Sequence, residues 1–232
     1  MIVFNSVSLD SVAPVMIEDI RVSPVKLNPV VRPRAVQFGA NFVRMGGGER
    51  TVAVTFAILE RNEGLRHEYL MNISEWAKTD QEYRLELPTD PNRYLMGVCT
   101  SKPEPSTRLW WENKLRLVFT CYENPFWTAK DEKTVNCGTA FNVLGDAPPL
   151  MKIVLSLGSA QTNKVWNDGT NYMTFSDIPA GDLVIDLNNQ TAAVGNTSIM
   201  QYYAASGHFI VPKTGAMTIN GVGSVKYRER WQ

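Results

Sequence analysis

Residues 34–42 read Arg34-Ala35-Val36-Gln37-Phe38-Gly39-Ala40-Asn41-Phe42, and residues 50–58 read Arg50-Thr51-Val52-Ala53-Val54-Thr55-Phe56-Ala57-Ile58. Between them stands Met45-Gly46-Gly47-Gly48-Glu49. Side chains alternate faces along a strand, so Val36, Phe38, Ala40 and Phe42 share one face, and Val52, Val54, Phe56 and Ile58 share one face of the second run. Two such runs around a glycine cluster predict a β-hairpin. The glycines are no phosphate cradle, because neither a lysine nor a helix start follows them.

Outward from the hairpin, strand patterns dominate. A single helical pattern covers 63–78, where Leu65, Tyr69, Ile73 and Trp76 form one apolar stripe and His67 lies off it. Alternation resumes at Tyr83, Leu85 and Leu87, again over 94–100, and through Leu115, Leu117, Phe119 and Cys121. A short charged stretch, 128–133, reads as a linker. Beyond it the chain turns rich in Gly, Asn and Thr, with short strands around Ile153-Val154-Leu155 and Leu183-Val184-Ile185 separated by turns such as Asn167-Asp168-Gly169. Turn signals every 8–12 residues or so describe a β-sandwich. At 232 residues the chain suits two domains, expected at 1–130 and 131–232.

Lysine plus arginine equals aspartate plus glutamate, 23 against 23, which argues against affinity for a nucleic-acid backbone. No run of about 18 apolar residues occurs, so no membrane-spanning helix is expected. Met1-Ile2-Val3-Phe4-Asn5-Ser6 has no basic leader, so no secretory signal is expected. Cys99, Cys121 and Cys137 read as small buried thiols, with a Cys99–Cys121 bridge left open.

Catalytic patterns are missing. The two histidines, His67 and His208, fall in different domains, and no G-x-S-x-G, H-E-x-x-H or C-x-x-C spacing occurs. Of Asp168, Asp177, Asp182 and Asp186, three fall in turns or strand starts, where aspartate serves the backbone. No catalytic residue, cofactor or metal ligand is assigned. Trp166 and Tyr172, with Tyr202 and Tyr203 of the same predicted domain, are candidates for stacking on a sugar ring, and a carbohydrate-binding module is the alternative function. A hydrolase built around His208 is a further alternative.

Three stretches carry a family likeness: Glu49-Arg50-Thr51-Val52-Ala53-Val54-Thr55-Phe56 with the helix ending Ser74-Glu75-Trp76; Leu85-Glu86-Leu87-Pro88 and Asp90-Pro91-Asn92-Arg93-Tyr94 with Cys121-Tyr122-Glu123-Asn124-Pro125-Phe126; and Gly181-Asp182-Leu183-Val184-Ile185-Asp186 with Phe209-Ile210-Val211-Pro212 and the terminal Val225-Lys226-Tyr227-Arg228-Glu229-Arg230-Trp231. In this order they resemble the distal tail protein (Dit) family of long-tailed, non-contractile bacteriophages. Asn124 departs from the aspartate often found before the Pro-Phe pair. The resemblance implies a mostly β chain with an N-terminal, sandwich-like belt domain carrying one helix and a C-terminal galectin-like sandwich. It further implies a non-enzymatic ring of six copies at the virion tail tip, made in the host cytoplasm. The ring would join the tail tube and tape measure proteins to a tail-associated lysin or fibre, carry receptor-binding proteins, and pass DNA through its opening. Ring contacts are expected from the uncharged hairpin faces and its tip: Arg44, Met45, Gly46, Gly47, Gly48, Glu49, Thr51 and Thr55.

Overall fold

The computed structural model describes residues 1–26, 29–33, 40–45, 48–101, 114–204 and 206–232, with 29–33 and 40–45 described as backbone. The protein is mostly β and divides into two compact units, Met1–Trp127 with Gln232, and Thr128–Trp231.

The first unit holds β1 (Val3–Phe4), β2 (Val7–Ser8), the one-turn helix α1 (Leu9–Val12), β3 (Val15–Val22), β4 (Pro29–Pro33), β5 (Ala40–Met45), β6 (Arg50–Ile58), the long helix α2 (Glu63–Ala77), β7 (Tyr83–Glu86), β8 (Arg93–Cys99) and β9 (Lys114–Cys121). Its ladder runs β2-β1-β7-β8-β9-β6-β3, antiparallel at each step. Phe4 on β1 and Phe119 on β9 are separated by two strands in that order, yet their ring centroids lie 4.9 Å apart. The sheet therefore folds over near β8, where only Val98 and Cys99 pair with β9. Val52, Val54, Phe56 and Ile58 face inward with Leu115, Leu117 and Phe119, as their alternation dictates.

α2 begins at Asn62, whose Oδ1 accepts the Gly64 and Leu65 N–H groups at 2.9 and 3.3 Å. The helix buries Ile73 and Ala77, and Trp76 packs its ring 5.7 Å from Phe4 while its Nε1 donates to the Val7 carbonyl at 3.1 Å. Leu65, expected in the apolar stripe, is 43% exposed: only the later turns reach the sheet.

The hairpin expected between 34–42 and 50–58 does not form. Ala40–Met45 pairs with Pro29–Pro33, and both edges of β6 are filled by β3 and β9. Alternation marks a strand and its faces, but the partners follow from which strands compete for its edges. The earlier part of that run, 34–39, lies outside the described residues, as do Gly46 and Gly47. Of this stretch, the described residues are Met45, which ends β5, and Gly48 and Glu49, the latter bridged to Lys26.

All three cysteines are free thiols. Cys99 sits opposite Phe119, so Cys121, two residues along β9, is a diagonal neighbour at about 7–8 Å, beyond ordinary disulfide reach. Burial, aided by repulsion from Glu82, pushes the Cys121 thiol up to about 12. Alkylation of the native chain at pH 8 is accordingly expected to spare Cys121 and to reach all three thiols only after unfolding, as peptide mass mapping would record. A raised acid pKa in the fold contributes fully below the unfolded thiol's value, roughly 8.5. That contribution is lost as pH climbs from there toward about 12.

The second unit holds β10 (Trp127–Ala129, entering from the first), β11 (Lys133–Asn136), β12 (Phe141–Val143), β13 (Ala147–Leu157), β14 (Gln161–Asn167), β15 (Tyr172–Ile178), β16 (Gly181–Asp186), β17 (Thr191–Val194), β18 (Thr197–Ser198), β19 (Gly215–Met217) and β20 (Ser224–Trp231). A sheet ordered β18-β17-β16-β13-β20-β11 contributes Ile153, Leu183, Ile185 and Val225 to a core closed by the pairs β14–β15 and β12–β19, which add Trp166, Met173, Phe175 and Met217. Asn188 extends β16 with its side chain, accepting the Met151 N–H at 2.7 Å and donating to the Pro149 carbonyl at 2.9 Å. Glu229, 4% exposed, is held by Lys133 Nζ at 2.7 Å and the Leu144 N–H at 2.9 Å. A buried carboxylate needs such partners, since an unpaired one costs several kcal/mol.

Candidate assembly surface

The outward face of β3, β6 and β9 follows from the ladder registers. Thr55 lies between Asp19 and Arg116, Ala53 between Arg21 and Val118, and Ala57 between Met16 and Lys114. Thr51 stands opposite Thr120 and donates its N–H and hydroxyl to Ser23 Oγ at 2.9 and 3.2 Å. Short side chains on the central strand make a shallow depression lined by Asp19, Arg21, Ala53, Thr55 and Arg116.

This face is not uncharged, contrary to expectation. β6 supplies Thr and Ala, while its neighbours bring Glu18, Asp19, Arg21, Lys114 and Arg116 besides Thr120. Arg21 Nε meets Asp19 at 2.6 Å and Lys114 Nζ meets Glu18 at 3.2 Å. These pairs are exposed and contribute under about 1 kcal/mol each to stability. The strand run alone could not show them: they belong to segments distant in sequence that only the pairing brings alongside.

The expected contact residues divide. Thr51 is exposed and Thr55 half-buried on this face. Arg44 and Met45 end β5, which pairs with β4 and, among the described residues, with no other strand. Gly48 is buried: a Cβ there would lie 2.5 Å from the Lys26 carbonyl oxygen. Glu49 bridges to Lys26 through backbone hydrogen bonds and a 3.6 Å ion pair. Gly48 and Glu49 therefore anchor the start of β6 to the segment before β4 and form no projecting tip.

The sugar platform is not assembled. Trp166 is fully buried, its Nε1 donating to the Val222 carbonyl at 2.8 Å, so its face cannot meet a ligand. Tyr172 is 44% exposed and ties its hydroxyl to the Ser206 carbonyl, and Tyr203 packs between Phe175 and Phe209. Tryptophan pattern alone cannot separate a core ring from a surface one. Among the described residues, no three His, Cys, Asp or Glu side chains converge as metal ligands. Asp168 is used locally: burial would raise its pKa, but N–H groups of Asn171 and Thr170 hold the carboxyl below its usual value. His67 and His208 are both exposed, in different units. No helix among the described residues is long and apolar enough to cross a membrane.

No family model matches the sequence, and no curated protein matches it. Among solved structures, the Dit protein of phage SPP1, described as a paradigm of the hub adsorption apparatus in phages infecting Gram-positive bacteria, is similar over 100% of this chain and 98% of that one. Its identity is 14% and the TM-score 0.76. The chain has the Dit fold. The baseplate of phage P2 in its activated conformation matches at TM-scores of 0.46 with Ca and 0.48 with Sr. Identities there are 7% and 8%, over 95% and 94% of this chain and 91% of each of the others. The likeness to the SPP1 protein spans the residues of both units.

Proposed function

We propose that this chain is a structural distal tail protein, a subunit of a six-copy ring in the hub of a phage tail tip. The supporting observation is the match to the SPP1 Dit protein along practically the full length of both chains. In this role residues 1–130 form the belt and 131–232 the outward, galectin-like module. One side of the ring meets the tail tube and tape measure proteins, the other a tail-associated lysin or fibre, with receptor-binding protein carried outside. DNA passes through the opening, and the protein performs no catalysis.

Ring closure needs two different patches that meet by rotation. The β3–β6–β9 face is one, matched in sign by the neighbouring copy. The β4–β5 hairpin is a second contributor, because an isolated two-stranded ladder is marginal in water and gains from being covered. Thr51→Lys with Thr55→Lys places two more cations beside Arg21 and Arg116. The double variant is expected to remain folded by circular dichroism and to lose the ring in size-exclusion light scattering.

The role itself is tested by adding gold-labelled protein to purified tail tubes lacking their tip. Label confined to one end of each tube is expected. Label absent, or scattered along the tubes, would overturn the assignment.

A further inference from the structure

Asn220-Gly221 is the one place in the sequence where glycine follows asparagine. Asn220 is exposed, at the bridge that links it to Asn167 at the end of β14. Three other asparagine side chains are more firmly held: Asn62 by two N–H donors, Asn188 by a donor and an acceptor, Asn189 by Asp186. The Asn220 amide makes one long contact, Nδ2 to Asn167 Oδ1 at 3.3 Å. Gly221 carries no Cβ to screen its nitrogen, and among the described residues its N–H donates to no acceptor.

We propose that Asn220 is a spontaneous modification site, deamidating through a cyclic imide with water as the only co-reactant. The Gly221 amide nitrogen gives its proton to solvent and attacks Asn220 Cγ. A new N–C bond forms, the Cγ–Nδ2 bond breaks, and ammonia leaves with a proton taken from water. Water then opens the five-membered ring at either carbonyl. One opening gives aspartate; the other gives isoaspartate, with the main chain rerouted through the side-chain carbon. No electrons change hands.

Two consequences follow for the second unit. A carboxylate at 220 faces the Asn167 carbonyl oxygen, replacing an attraction with a repulsion. Isoaspartate lengthens the chain immediately before Gly221, whose Cα packs so closely on Trp166 that a Cβ would lie 2.4 Å from the ring. The Asn220 backbone exchanges two hydrogen bonds with Asn167, at 2.8 and 3.0 Å. That bridge slows the folded chain relative to a free peptide but leaves the attacking nitrogen open.

The test is prolonged incubation of the full chain in mildly alkaline buffer at body temperature, followed by peptide mapping that separates aspartate from isoaspartate. The expected result is loss of the parent peptide at 220 ahead of every other asparagine, faster at higher pH, with both products present. An acidic species should grow in parallel and be lacking in Asn220→Gln, whose ring closure is far slower. If the folded chain keeps Asn220 intact while a synthetic peptide of the same sequence converts, or if another asparagine reacts first, the proposal is overturned.

Discussion

Phe119→Ala is expected to destabilise the first unit by about 3–5 kcal/mol. Phe119 is 1% exposed on β9, and its ring touches Phe4 at 4.9 Å and lies 6.3 Å from Trp76, edge to face. One side chain thus joins the strand after the fold-over, the N-terminal hairpin and α2. Removing it takes away the transfer energy of the ring, leaves a cavity, and forfeits aromatic pairs worth about 0.5–1.5 kcal/mol beyond area. Thermal unfolding should show the first unit's transition lowered on the order of 10–20 °C. Phe119→Leu should recover most of the loss. A fall of a degree or two for the alanine variant would mean that β1 and α2 hold to the sheet without it.

Gly221→Ala is expected to cost the second unit a comparable amount. The φ of +143° suits glycine, and the added Cβ would meet Trp166 Cδ1 at 2.4 Å. Backbone strain of about 1–3 kcal/mol adds to overpacking of similar size, roughly 2–6 kcal/mol together. The ring cannot retreat, because it is fully buried and its Nε1 is committed to Val222. Tryptophan fluorescence should report the loss at lower denaturant concentration than in the parent. Trp166→Phe in the same background should relieve part of the clash, which a purely backbone effect would not allow.

The parts legible in sequence are those governed by local rules. Val52, Val54, Phe56 and Ile58, and Leu115, Leu117 and Phe119, turn inward as their alternation requires, and Asn62 starts the helix. Partner choice was not legible. Alternation and the glycine cluster point the strand at 50–58 to its neighbour in sequence, yet β3 and β9 take its edges, the latter from more than fifty residues away. The same non-local pairing sets Asp19 and Arg116 on either side of Thr55 and gives the candidate surface its charges. The burial of Trp166 is hidden from the sequence for a related reason. An aromatic beside turn residues suits a surface platform, but Gly221 and Val222, far along the chain, close over it.

In the proposed role, copies of this chain close on themselves. Native mass spectrometry of the purified full chain across a concentration series, alone and with the tail-tube protein, measures this directly. One closed assembly of six chains is expected, growing at the expense of the single chain as concentration rises. A single-chain mass at every concentration, with the tube protein present as well as absent, would contradict it.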